Sequence, residues 1–175
     1  MNRVLVIGGN GAGKSYFSMK LSEVTGIPVV HLDRLKWREN WQSAPREEFD
    51  GRLKEELEKP EWIIDGNFSR TLPLRLEYAD TVFYFDFSTV KCIFGVLGRV
   101  FRNYGKSRPD MGGGNVERLD FTFLRDVLRF RRVNSKRTKE LLASNDHVKV
   151  TVFKSRRQAE RYIEKLTEEL KGDLT

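Results

Sequence analysis

The sequence predicts an α/β fold, a three-layer sandwich in which a five-stranded parallel sheet lies between two layers of helices. Three observations predict it. Short apolar runs alternate with longer segments of helical periodicity. A glycine-rich segment joins the first apolar run to the first helical segment. No internal repeat or low-complexity segment interrupts this alternation. Strands that alternate with helices form a parallel sheet that is covered on both faces.

Five short apolar runs predict the strands, and their lengths are typical of buried strands. They lie at 3–7, 28–32, 61–65, 80–86 and 148–153. Asp33 directly follows the second run, and Asp65 ends the third. Ligands of parallel sheets bind at the carboxyl ends of the strands. We therefore expect both aspartates to lie near the end of the first strand.

Helical periodicity predicts the helices. They lie at 13–25, about 45–58, 71–78, 89–103, 121–132, 135–144 and 155–171. Gly26 is a C-terminal stop, whereas Ser43 and Ser88 are predicted N-caps. Two apolar stripes are predicted to face the core. They consist of Val90, Ile93, Phe94, Leu97 and Phe101 in one helix and Leu124, Val127 and Leu128 in another.

Residues 8–15 read GGNGAGKS, which is the phosphate-binding pattern G-x-x-x-x-G-K-[ST] between a strand and a helix. Its glycines let backbone N–H groups approach a phosphate, and the following helix directs its positive end toward the anion. A glycine-rich turn that binds nothing is the disfavoured alternative. Lys14 is predicted to reach the β- and γ-phosphates of ATP, and the Ser15 hydroxyl to bind Mg²⁺. The predicted nucleotide-binding residues are Gly8, Gly9, Asn10, Gly11, Ala12, Gly13, Lys14, Ser15 and Tyr16.

Two aspartates are candidate metal-binding or catalytic residues beside the bound phosphates. WIID at 62–65 resembles a Walker B element, so Asp65 is predicted to hold Mg²⁺ through water or to position the nucleophile. Asp33 is predicted to orient an acceptor hydroxyl or to accept its proton. Capping of a helix or turn remains the alternative function of each carboxylate.

The positive charge is concentrated in one part of the chain. Residues 91–139 contain 13 Lys and Arg against 4 Asp and Glu, whereas the rest contains 19 against 21. Two explanations remain open: arginines that close on nucleotide phosphates, or a surface that binds nucleic acid. Residues 104–116, with four glycines and a proline, are predicted to form a lid.

The length of 175 residues predicts a single domain, 1–175. The longest apolar stretch, 92–98, is too short to span a bilayer, so we expect no membrane association. One cysteine and an N-terminus without a signal-peptide pattern favour a cytoplasmic location. The sequence leaves the oligomeric state open.

Several segments together resemble the bacterial DNA topology modulation (FlaR-like) family. They are HLDxLxW at 31–37, WIIDGN at 62–67, RLEYAD at 75–80, RPDM at 108–111 and ERLDFTFLRDVLRF at 117–130. The resemblance covers nearly the whole chain. It implies an adenylate-kinase-like P-loop NTPase of the nucleoside- and nucleotide-kinase type, with an acceptor-side region at about 33–60 and a small lid.

The resemblance also implies roles by position. Asp33 lies beside the phosphoryl acceptor, and Arg70 or Arg75 binds an acceptor phosphate. The arginines that surround the transferred phosphoryl group are Arg99, Arg132 and Arg137. Trp37, with Trp41, either stacks on a planar acceptor or fills the space under a loop.

Two positions depart from the family pattern. Asn115 occurs where the lid of the family usually has a cysteine, so the sequence predicts no metal-bound lid. The family usually has an arginine that stacks on adenine where this chain has Gly95, so the base preference stays open. The sequence therefore predicts an ATP- and Mg²⁺-dependent phosphotransferase. Its small acceptor is unidentified, and nucleosides and nucleotides are among the candidates. The alternative is a nucleotide-binding regulator that affects DNA topology through a basic surface. It would make nucleic acid a partner.

Overall fold

The computed structural model describes residues 1–106, 111, 114–117 and 121–172, and only the backbone of Phe121. Five parallel strands form one sheet in the order β2-β3-β1-β4-β5. The elements are β1 Arg3–Gly8, α1 Lys14–Thr25, β2 Val29–His31, α2 Leu32–Lys36, a 3-10 turn Glu39–Trp41, α3 Arg46–Leu57, β3 Trp62–Asp65, α4 Leu72–Tyr78, β4 Thr81–Phe85, α5 Thr89–Asn103, α6 Phe121–Ala143, β5 Lys149–Phe153 and α7 Arg156–Gly172. The predicted fold class is confirmed.

The core lies on both faces of the sheet, because successive side chains of a strand point to opposite faces. Val4 and Val6 of β1 belong to a cluster with residues of α1, α5 and α7. Leu5 and Ile7 belong to a second cluster with residues of α3 and α4. Strand β1 is therefore buried on both faces, as its continuous apolar run predicts.

The end of β1 lies where the order of the strands changes direction: β2 and β3 lie on one side of β1, and β4 and β5 on the other. The chain after β1 passes over β3 to reach β2, whereas the chain after β4 continues outward to β5. In the register, Val6 lies opposite Asp65, and Gly8 lies opposite Phe85. Ligands of open parallel sheets bind at such a reversal, and the glycine-rich segment begins there.

Three predicted boundaries are wrong. Strand β2 ends at His31, so Asp33 lies in the first turn of α2 and not directly after a strand. Pro45, and not Ser43, precedes α3; Ser43 instead pairs with Trp37 in an isolated β-bridge. One continuous helix, α6, spans the two helices predicted at 121–132 and 135–144. Ser135 lies inside it, buried, and its hydroxyl is 3.2 Å from that of Tyr84.

The predicted inward face of α5 is also wrong, apart from the partly buried Ile93. Phe94 is 70% exposed and Phe101 89% exposed, and Val90 and Leu97 are exposed as well. The opposite side of the helix is buried instead, through Cys92, Gly95, Val96 and Val100. Leu128 of α6 likewise faces solvent, whereas Val127 is buried as expected. None of the helices formed by the described residues is both long and apolar enough to cross a membrane.

Candidate active site

The glycine-rich segment forms a loop that its glycines alone permit. Gly11 has a φ of 82° and Gly13 a φ of 98°, both in the left-handed region that disfavours side chains. The Ala12 N–H donates to the Gly9 carbonyl at 3.2 Å, which closes a turn inside the loop. Gly13 then caps α1, since the Phe17 N–H donates to its carbonyl at 3.0 Å. The loop thus leads directly into the positive end of a helix.

Lys14 points its ammonium group into the loop. Its Nζ donates to the Gly9 carbonyl at 3.1 Å, and the residue is only 8% exposed. Burial lowers the pKa of Lys14, and the carboxylates of Asp65 and Asp33 act in the opposite direction. Both predicted carboxylates therefore lie near enough to Lys14 to act on its charge.

Asp65 is buried at the end of β3 and has one oxygen in a hydrogen bond. Its Oδ1 lies 2.8 Å from Nδ1 of His31, which ends the neighbouring strand β2. Its Oδ2 is buried and has no hydrogen-bond partner within the described residues. Such an atom costs free energy unless a ligand, ion or water contacts it. The sequence analysis gave His31 no role, although His31 is the first residue of the HLDxLxW motif.

This arrangement fits Mg²⁺. A carboxylate oxygen and the hydroxyl of Ser15, at the start of α1, are ligands that Mg²⁺ accepts beside phosphate oxygens and water. No group of three or more metal-ligating side chains occurs among the residues that the structure describes. A metal that is bound mainly through substrate phosphates needs no such group.

Asn67 and Arg75 support the loop from the side of β3. Asn67 contacts Gly8 twice: its Oδ1 accepts from the Gly8 N–H at 2.9 Å, and its Nδ2 donates to the Gly8 carbonyl. Arg75 donates to the carbonyls of Gly66, Asn67 and Phe68 at 2.8–3.1 Å. Sequence reasoning missed Asn67, although the WIIDGN motif contains it.

Arg75 does not lie where an acceptor phosphate would reach it. It is completely buried, and burial lowers its pKa to about 9, against an opposing effect of Asp65. The expected contact with an acceptor phosphate is therefore replaced by bonds to the chain itself. Arg70 is exposed and binds both oxygens of Asp50.

Arg99 approaches the loop from α5. Its Nε and Nη2 each lie 3.1 Å from Oε1 of Glu117, and its guanidinium lies 5.4 Å from the centre of the Phe123 ring. Its charge also acts on Lys14, where it lowers the pKa. Arg99 therefore binds the residue that directly follows the predicted lid, and its charge reaches Lys14 in the phosphate loop.

The structure does not bring Arg132 and Arg137 to the loop. Phe130 and Arg131 line a small cavity together with Gly9 of the loop. Arg137 lies seven residues farther along α6 than Phe130. Arg132 is exposed and lines an open groove beside Thr89.

The described residues of the predicted lid contact the segment that is predicted to lie on the acceptor side. Asn115 accepts from the Trp41 N–H at 2.6 Å and donates to the Arg38 carbonyl at 3.0 Å. The Trp41 and Trp37 rings pack edge to face, 5.8 Å apart, and not in parallel. Trp41 itself has a φ of 59°, which is strained for a side chain of this size. The RPDM segment that is part of the predicted lid lies mostly outside the described residues.

Comparison with known proteins extends the fold assignment. No protein-family model and no curated protein matches the chain. Among solved structures, it is similar to shikimate kinase from Bacteroides thetaiotaomicron, with a TM-score of 0.53 and 18% identity. The match covers 97% of this chain and 98% of that chain. At this identity the likeness shows only that the two chains share a fold. Membership of the topology modulation family stays a prediction.

Proposed function

We propose that the chain is a Mg²⁺- and ATP-dependent phosphotransferase of the nucleoside- and nucleotide-kinase type that acts on a small acceptor. The observation that carries this proposal is the buried Lys14 inside a glycine loop, within the electrostatic reach of Asp33 and Asp65. The P-loop kinase fold and the motifs shared with the topology modulation family support it. The whole chain forms one domain, with the acceptor at about 33–60 under a lid at about 104–116.

The proposed reaction forms a bond between an acceptor oxygen and the γ-phosphorus and breaks the bond from that phosphorus to the β–γ bridging oxygen. Asp33 takes the proton of the acceptor hydroxyl. Lys14 and Arg99 neutralise charge on the transferred group, whose transition state depends mainly on positioning and electrostatics. Asp65 and Ser15 hold Mg²⁺, which would supply further neutralisation.

Acceptor-dependent ADP release tests the proposal. We expect it with at least one member of a panel of nucleosides, nucleoside monophosphates and small alcohols, and Asp33→Asn should lower it by about 10²-fold or more through loss of the base. Glu23→Gln, on the exposed side of α1, is the matched control. An absence of acceptor-dependent release over the whole panel would refute the proposal.

A second candidate is a nucleic-acid-binding regulator, and a basic stripe on α6 favours it. Arg125, Arg129, Arg132 and Lys136 are exposed and recur at intervals of four, three and four residues, so they share one face of the helix. If these four side chains each contact a phosphate of duplex DNA, the logarithm of the association constant should fall linearly with the logarithm of the salt concentration. The expected slope is about −3.6.

Fluorescence anisotropy with duplex oligonucleotides at several salt concentrations measures this slope. Changing Arg129 and Arg132 together to alanine should reduce it by about 2, whereas Lys165→Ala on α7 should leave it unchanged. Binding that is undetectable at 50 mM salt would rule this candidate out.

A further inference from the structure

Helix α5 presents a line of apolar side chains to solvent. Val90, Phe94, Leu97 and Phe101 are all exposed. Their intervals of four, three and four residues place them on one stripe, which runs along about 16 Å of the helix at 1.5 Å per residue. We call these four residues the α5 stripe. Contiguous exposed apolar side chains of this kind mark an interaction surface.

The stripe is exposed because the other side of α5 lies in the core. Cys92, Gly95, Val96 and Val100 are buried there. A methyl group placed on Gly95 would lie 1.9 Å from the Gly11 carbonyl oxygen, so only the small side of the helix fits against the phosphate loop. The helix therefore cannot rotate to bury its phenylalanines, and the stripe stays available for a contact outside the chain.

Basic side chains border the α5 stripe at both ends. Helix α5 contains three basic residues and no Asp or Glu. Lys91 directly follows Val90, and Arg102 directly follows Phe101. Both cations are exposed, as is Lys106 just after the helix. A positive charge therefore lies beside each end of the apolar stripe.

Helix α6 extends this positive charge beside the start of the stripe. An open groove next to Thr89 of α5 is lined by Leu128, Arg129, Arg131 and Arg132 of α6. These four residues of α6 are exposed. The neighbouring surface therefore combines apolar and basic groups in the same way as the stripe.

We propose that this face docks on an anionic membrane surface, with the α5 stripe between the lipid headgroups and the bordering lysines and arginines on the lipid phosphates. In an interfacial helix of this composition, Phe and Leu enter the boundary between headgroups and acyl chains, and Lys and Arg bind acidic headgroups. The sequence-based expectation of no membrane association depends only on the absence of a spanning segment, which a surface contact does not need.

The combination of charge and apolar surface favours this partner over two others. A second copy that covered the stripe with its own would bring the cations of both α5 helices into one interface, and α5 has no carboxylate to pair with them. Duplex nucleic acid would neutralise the cations but would leave Phe94 and Phe101 without an apolar layer to enter. An anionic bilayer offers both the phosphates and the apolar layer.

Co-sedimentation with vesicles of phosphatidylcholine alone, and with about one third phosphatidylglycerol, tests the proposal. We expect the native protein to bind the anionic vesicles at least about 10-fold more tightly, with a preference that falls as salt is added. Changing Phe94 and Phe101 together to serine should lower the partition coefficient by at least about 10-fold. Changing Arg102 and Lys106 together to glutamine should lower it by about 5-fold for each charge removed.

Two substitutions away from the stripe are the matched controls. Leu74→Ala removes an exposed leucine from α4, which packs against the other face of the sheet. Lys165→Gln removes an exposed cation from α7. Both variants should bind vesicles like the native protein. All the substituted side chains are exposed, so thermal unfolding should show a native Tm for each variant.

A tryptophan introduced by Phe101→Trp reports whether the stripe enters the lipid. The spectrum of the native protein is subtracted to remove the emission of Trp37, Trp41 and Trp62. On anionic vesicles, the remaining emission should shift to shorter wavelength. Lipids that are brominated in their acyl chains should quench it.

Three outcomes would overturn the proposal. The first is an absence of binding to the anionic vesicles, and the second is binding in which the emission of Phe101→Trp is neither shifted nor quenched. The third is a dimer in sedimentation equilibrium that the double serine variant converts to monomers, because a second copy would then cover the stripe. The vesicle assay needs neither nucleotide nor acceptor, so its result is independent of the ADP-release assay.

Discussion

Lys14→Met is expected to lower nucleotide-dependent turnover by about 10³-fold and to weaken Mg²⁺-ATP binding by at least 10-fold. Methionine keeps the length and most of the volume of the lysine and removes its charge. The native ammonium group lies inside the loop at 3.1 Å from the Gly9 carbonyl. It is therefore already at the place where the β- and γ-phosphates would gain charge-assisted hydrogen bonds. ADP release and calorimetric affinity measure the two effects.

Lys20→Met on the same helix is the matched control. The Lys20 side chain is 41% exposed and pairs with Glu23 at 2.5 Å. An exposed pair contributes little stability, so we expect native affinity and turnover from this variant. Thermal unfolding of both variants shows whether either has lost its fold. Native turnover in a folded Lys14→Met protein would mean that residues 8–15 are not the site.

The sequence predicted the strands better than the helices, because short apolar runs between turn signals leave little choice of where a strand begins and ends. Four of the five strands lie within the predicted runs, and β1 extends one residue beyond its run, to Gly8. Helical periodicity, by contrast, identifies an apolar stripe without identifying what the helix packs against. On α5 the small side, around Gly95, is buried because the helix lies against the backbone of the phosphate loop. Large side chains such as Phe94 would not allow that approach, and they face solvent.

The residues of the candidate site also differ in how well the sequence predicted their positions. Local motifs predicted Lys14 and Asp65 because spacing along one segment is sufficient to define them. Arg75 and Arg137 could not be placed from spacing, since the first is completely buried and the second depends on the direction in which α6 leaves the site. Arg156, whose guanidinium donates to the Gly11 carbonyl of the phosphate loop, had no sequence signal at all. That contact joins residues that are 145 positions apart along the chain.

Arg75→Met is expected to lower the free energy of unfolding by about 3–4 kcal/mol, because it leaves buried carbonyls without their donors. For a chain of this size that corresponds to a fall in Tm of roughly 10 °C. Lysine should not rescue it, since one ammonium group cannot reproduce the guanidinium's contacts with three carbonyls. Thermal and denaturant unfolding measure the loss, and Glu77→Ala, exposed on the same helix, should change stability by less than about 0.5 kcal/mol.

The loss of unfolding free energy in Arg75→Met should depend on pH, and the pKa of Arg75 determines the sign of that dependence. Burial lowers the pKa of Arg75 to about 9 in the folded protein, well below its usual range. Below pH 9 the group is protonated in both the folded and the unfolded state, so the deficit should be constant between pH 6 and 8. Above pH 9 the unfolded chain binds more protons than the folded one, and the native protein should gain stability relative to the variant.

The same substitution should weaken nucleotide binding, because Arg75 supports the segment that carries Asn67, and Asn67 contacts Gly8. Asn67→Ala separates the two effects. It should weaken Mg²⁺-ATP by about 10-fold through loss of its contacts with the loop, with a smaller fall in Tm than Arg75→Met. If Arg75→Met, measured well below its Tm, binds ATP with native affinity, the loop does not depend on residues 66–68, and Arg75 has a role in stability alone.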